Sequence, residues 1–107
     1  MKIIISYKNI NPEDALEYFV NEKIGSLQKF LNDNDNIVAR VEIGKPSRHH
    51  QTGMVFYAEA NLKIGSKLIR SQSIHFDLRT AITEVKDGPQ VQIKKFKEKP
   101  KTRSIKK

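Results

Sequence analysis

The stretch from Phe76 to Pro100 limits the possible folds more than any other part of the chain. Apolar residues fall at Leu78, Ala81, Ile82 and Val85 and resume at Ile93 and Phe96, the spacing of a helix laid against something flat. Asp77, one residue ahead of the run, is placed to accept the free backbone N–H groups of a first helical turn. Beyond Ile93 the pattern turns basic. Residues 94–107 hold eight basic side chains and one acidic, a net of +7 out of +8 for the whole chain. Gly88-Pro89 interrupts the run, and together they cost a helix interior about 4 kcal/mol relative to alanine. The phase nevertheless survives across Val85, Pro89, Ile93 and Phe96. The reading is a kink, or a stop near Lys86 with a restart at Pro89; a clean stop is the competing one.

Upstream, Lys2–Tyr7 reads as a short β-branched strand. A helix follows, with Asn11 as N-cap, Pro12 at the first helical position and Glu13 and Asp14 offsetting the positive end. Its apolar stripe runs Leu16, Phe19, Val20, Ile24, Leu27, Phe30, Leu31 over four turns, with Gly25 as a weak point. Ile37–Gly44 and Met54–Ile64 each alternate apolar and polar residues, as a strand with one dry face requires. A loop bounded by Gly44 and Gly53 joins them, and a tight turn leads to a last strand over Leu68–His75. There Ile69, Ser71 and Ser73 face inward, small enough to let a helix approach closely, while Arg70 and Gln72 face out. The order β-α-β-β-β-α predicts an α+β fold, a four-stranded sheet with two helices on one face, resembling the double-stranded-RNA-binding domain with an extra leading strand. The expected division is a folded unit over residues 1–99 and a flexible basic tail over 100–107.

The chain has 107 residues, enough for one modest core. It contains no cysteine, which removes disulfides, thiolate catalysis and cysteine-ligated zinc. No apolar run reaches membrane-spanning length, and the amino-terminal residues do not form a signal peptide. A soluble cytoplasmic protein is expected. No phosphate-binding glycine loop, nucleophile elbow or His-Glu-x-x-His pair is present, so neither an enzyme, a cofactor, a metal nor a small-molecule substrate is expected. With a pI near 9.8 the partner is acidic: nucleic acid, an anionic surface or an acidic protein.

The lysine run offers the first candidate contacts, because clustered cations bind RNA phosphates by releasing counterions. Arg48, His49 and His50 at a hairpin tip offer a second set. Phe19, Phe30, Phe56 and Phe96 read as core anchors. Tyr57, on the wet face, is the one aromatic suited to stacking on a base. Three elements of the chain also resemble a known family, the ribosome hibernation-promoting factors (the ribosome-associated inhibitor or sigma-54 modulation family). They are Glu22-Lys-Ile-Gly-Ser-Leu-Gln-Lys-Phe30, Val41-Glu-Ile-Gly-Lys-Pro-Ser-Arg-His-His50, and a last helix carrying Asp77, Ala81-Ile82, Gln92, Lys94-Lys95, Phe96 and Lys97-Glu98-Lys99. The resemblance covers nearly the whole chain and implies a protein seated between head and body of the small ribosomal subunit, over the messenger path and the aminoacyl and peptidyl transfer-RNA sites. It further implies ribosomal-RNA contacts from Lys23, Lys29, Arg48, His49, His50, Lys94, Lys95, Lys97 and Lys99. The family usually has a charged residue and a leucine where Gly88-Pro89 stands here. The resemblance is to the short form, without the dimerisation domain of the long form, so a monomer off the ribosome is expected. A general double-stranded-RNA module and a basic surface that docks on an acidic protein are the alternative readings.

Overall fold

A computed structural model describes residues 1–32, 36–46 and 55–105, the last ten of these as backbone only. Four strands, β1 (Lys2–Lys8), β2 (Ile37–Gly44), β3 (Phe56–Ile64) and β4 (Lys67–His75), form one sheet in the order β1-β2-β3-β4. Two helices, α1 (Asp14–Gly25) and α2 (Leu78–Ile105), complete the expected α+β architecture. β1 runs parallel to β2, with Ile3 opposite Ala39 and Tyr7 opposite Ile43. Parallel neighbours need a crossover, which α1 provides. The other two pairings are antiparallel.

Strand alternation decides which face is dry. Ala39, Val41 and Ile43 of β2, Ala58, Ala60 and Leu62 of β3 and Ile69 of β4 are buried, together with Val20 and Ile24 of α1 and Ile82, Val85 and Ile93 of α2. Both helices therefore cover one face. The other face stays open and carries polar cross-strand pairs: Tyr57 donates to Glu42, and Arg70 on β4 reaches Asn61 (2.9 Å) and Glu59 (3.7 Å) on β3.

α1 starts later than Asn11 and Pro12 suggest. Glu13 is the N-cap, in extended conformation and without a side-chain cap, and Glu17 N–H donates to its carbonyl at 2.9 Å. The preceding residues are occupied in turning the chain out of the sheet. Asn9 adopts a left-handed φ of 60° and its side-chain amide donates to the Lys45 carbonyl, 3.0 Å away at the end of β2. α1 also ends earlier than its stripe. After Gly25 the chain tightens into a 3-10 turn, Ser26–Phe30. Ser26 Oγ donates to the Lys23 carbonyl at 2.6 Å, a local bond that competes with α-helical continuation. Leu27 and Leu31 remain buried all the same. Gly25 itself has a helical φ of −61°, and a β-carbon there would meet only Ile3 Cδ1 at 3.9 Å. Gly25→Ala is accordingly expected to stabilise the fold by about 0.5–1 kcal/mol in urea titration.

α2 neither stops at Lys86 nor restarts at Pro89; it is one helix through Gly88-Pro89, and its backbone passes Pro100 to reach Ile105. Packing overrides local propensity here. Val85, Pro89 and Ile93 are all buried, so the sheet holds the helix in phase across the missing Pro89 hydrogen bond. Gly88 lies over Ser71, where an added β-carbon would sit 3.0 Å from Oγ. Close approach to the small inward residues of β4 is what the glycine allows. At the start of α2, Asp77 acts as its sequence position suggests. Thr80 Oγ1 donates to its carboxylate at 2.7 Å. That bond, with backbone donors Arg79 and Thr80 and nearby His75, holds the carboxyl below its usual value despite some desolvation. A depressed folded-state pKa contributes stability above the unfolded value near 3.8 and loses it as pH falls through the folded one. Asp77→Asn is therefore expected to lower the thermal midpoint at pH 7, with the gap to the parent chain closing as acid protonates Asp77.

A candidate nucleic-acid interface along the helix seam

The seam between α1, its 3-10 extension and α2 is where sequence-distant cations meet. Phe19 and Phe30 lie along it, half-buried at the rim of the core. Arg79 in the first turn of α2 stands 5.1 Å from the Phe19 ring centre, and Lys23 of α1 stands 5.5 Å from the same ring. Further along, Lys94 of α2 is 5.0 Å from the Phe30 ring and Lys29 is 5.4 Å from it. Each ring thus holds one cation from either side of the seam. A cation over an aromatic face is attracted by the ring quadrupole while its outer side stays hydrated, so the four charges are positioned without an ion pair to any carboxylate among the described residues.

Helical phase explains the pairing. Arg79 and Lys94 project from the flank of α2 that faces α1, as does Lys86 between them. Lys86 is already engaged, with Asp87 at 2.9 Å and Gln90 at 3.1 Å, so it adds little field. Lys95 is exposed. Lys23 and Lys29 also lie in the last turns of α1 and of the 3-10 segment, where a cation complements the local dipole.

Of the residues singled out from sequence, the structure brings Lys23, Lys29 and Lys94 to one seam, while Lys95 is exposed at i+7 from Gly88, on the flank of α2 that faces β4. Lys97 and Lys99 continue the backbone of α2, and their side chains lie outside the described residues. Arg48, His49 and His50 fall in the 47–54 segment, also outside them. Sequence reasoning missed Arg79, which lies fifteen positions before the lysine run. Helical projection would have found it on the flank of Lys94. Phe19 and Phe30 are not the deep core anchors their stripe suggested; they sit at its edge as supports for cations. Tyr57 is unsuited to base stacking. Its hydroxyl is bonded to Glu42, Lys8 lies 5.9 Å from its ring centre, and burial followed by Glu42 raises its pKa far above the usual phenol range.

Among the described residues, no three His, Asp or Glu side chains gather as a metal site, and no helix is long and apolar enough to cross a membrane. A sheet with one open face, and a helical face whose seam holds exposed cations on aromatic supports, defines a class: a small α+β domain with a basic surface suited to a polyanion. The chain belongs to the Sigma 54 modulation protein / S30EA ribosomal protein family, whose sequence profile matches residues 3–101. It is 27% identical over 89 residues to a ribosome hibernation promotion factor of Staphylococcus aureus (strain COL), covering 83% of this chain and 44% of that protein. It is 26% identical over 97 residues to the ribosome hibernation promotion factor of Lactococcus lactis subsp. cremoris (strain MG1363), covering 91% and 50%. The chain thus spans about half the length of these curated relatives. Among solved structures, the Thermus thermophilus Protein Y N-terminal domain matches with a TM-score of 0.76 at 23% identity, covering 90% of this chain and 99% of that one. A ribosomal subunit interface protein from Coxiella burnetii matches with a TM-score of 0.70 at 16% identity, covering 91% and 98%. At these identities the likeness speaks for the fold.

Proposed function

We propose that this chain is a non-catalytic ribosome hibernation factor that silences the small subunit by occupancy. In this reading the helix seam faces ribosomal RNA in the decoding groove. Lys23, Lys29, Arg79 and Lys94 neutralise phosphates there, Lys95, Lys97 and Lys99 extend the contact, and Arg48, His49 and His50 add a further one. The α+β body then blocks the messenger path and transfer-RNA sites. The observation that carries the reading is the pair of aromatic rings holding four cations along one seam, in a chain whose family and curated relatives bear ribosome-associated names. Fixed cations pay less ordering entropy on binding than free lysines, and phosphate neutralisation supplies affinity through counterion release.

Sedimentation with purified ribosomal subunits at two salt concentrations tests it. Comigration with the small subunit, weakened at the higher salt and blocked by prior loading of messenger and initiator transfer-RNA, is the expected result. Failure to comigrate at low salt would overturn the proposal. Equal competition by an ordinary RNA duplex would point to shape recognition across minor grooves instead.

A further inference from the structure

We propose that the free edge of β4 is a self-association surface on which a second copy of this chain pairs antiparallel, extending the sheet across a twofold axis at Ser71. Three of the six large apolar side chains exposed among the described residues border this edge. Leu68, Ile74 and Phe76 are 70%, 65% and 75% exposed. Among the described residues β4 is the last strand of the sheet, paired only to β3. Soluble proteins usually guard such an edge with charge, proline or a bulge. The one cation in the middle of β4, Arg70, is turned away from the edge, with its guanidinium held by Asn61 and Glu59 of β3.

The sequence of β4 is complementary to itself in a single register. Residues directly opposite one another in an antiparallel pair lie on the same face. A twofold axis at Ser71 sets Leu68 against Ile74 and Arg70 against Gln72, each combination occurring twice. Phe76 then lies diagonal to Leu68 of the second copy. An axis at Arg70 would oppose the two guanidinium groups, and an axis at Gln72 would set Arg70 against Ile74. The helix above fits the same axis. Gly88 lies over Ser71, so α2 presents its smallest residue at the level of the axis. The basic seam lies on the opposite flank of α2, so both copies keep it free.

A contact of two nine-residue strands lies at the small end of stable interfaces, so association depends on concentration. This departs from the monomer that the sequence suggests. Sedimentation equilibrium of the purified chain, without ribosomes, should show its mass rising toward twice the monomer value across the micromolar to millimolar range. Leu68→Lys and Ile74→Lys, both at exposed positions, should keep their circular dichroism spectrum and remain monomeric. Because the chain has no cysteine, single substitutions read the register. Ser71→Cys should cross-link to itself on oxidation several-fold faster than Arg70→Cys or Gln72→Cys. A chain monomeric at every concentration, a dimer indifferent to both lysine variants, or faster cross-linking at 70 or 72 would each overturn the proposal. A monomer whose lysine variants sediment less well with the small subunit would assign the edge to the ribosome instead.

Discussion

On the function proposed above, reversing charge at Lys29 and Lys94 together is expected to weaken small-subunit binding by at least about 100-fold at moderate salt while leaving the fold intact. The two side chains meet over the Phe30 ring from opposite sides of the seam, and neither is buried. Their removal therefore takes away phosphate partners without opening the core. Ile93 is the last described core residue of α2, so the substitution at 94 begins where packing ends. For every phosphate no longer neutralised, the slope of log affinity against log salt should also fall by about 0.7–0.9. Neutral substitutions separate the two effects. Lys29→Gln and Lys94→Gln should reduce the slope with a smaller loss of affinity, since they add no repulsion. Binding titrations at several salt concentrations, with circular dichroism to confirm folding, would decide it. An unchanged slope would show that the seam does not face RNA.

Gly44→Ala is expected to be strongly destabilising, costing about 3 kcal/mol or more in chemical denaturation. A β-carbon at Gly44 would sit 1.9 Å from the Lys8 carbonyl oxygen, and the residue has a φ of +155°. The backbone conformation alone costs a non-glycine residue roughly 1–3 kcal/mol, and forcing two strands apart adds about 1–3 kcal/mol. The obstacle is backbone, so no side chain can swing aside. Lys45 N–H donates to that same Lys8 carbonyl at 3.0 Å, and the shift would break this bond as well. Gly65 is the internal control. It has a φ of +61°, and a β-carbon added there would meet nothing within 4 Å. Gly65→Ala should therefore cost only about 1–2 kcal/mol, and Gly65→Asn less. Similar losses at 44 and 65 would refute the steric account.

The fold was largely legible because its signals are periodic. The alternations read over Ile37–Gly44 and Met54–Ile64, the latter described as a strand from Phe56 on, and the stripe Leu78–Val85 each specify one buried face, and the described residues of those faces are the ones the core uses. Where reading and structure part, a tertiary contact outweighs a local rule. Asn11 and Pro12 form a good helix start, yet Asn9 is tied to Lys45 across thirty-six residues, and the turn this imposes moves the start to Asp14. Gly88-Pro89 reads as a break, yet the buried proline and the close approach to Ser71 hold the helix together. The candidate site was legible only in part. The charge concentration beyond Ile93 stands out in one dimension, whereas Arg79 meets Phe19 only after two helices are laid side by side. Phe19 and Phe30 belong to the apolar stripe by spacing. Their position at its rim emerges only once α1, its 3-10 extension and α2 are packed together, which spacing does not encode.

The parallel pairing of β1 with β2 bears on the order in which this chain assembles. β2, β3 and β4 follow one another as a meander, so their pairings close short loops, and α2 lies chiefly over β3 and β4. β1 instead meets β2 from more than thirty residues away, after α1 has crossed the sheet, and closing that larger loop costs more entropy before any pairing rewards it. Loop-closure entropy thus favours the meander with α2 as the folding nucleus, with β1 expected to dock late. The Gly44–Lys8 approach is then absent from the folding transition state. A substitution there shortens the lifetime of the native protein by speeding unfolding and leaves the folding rate nearly unchanged.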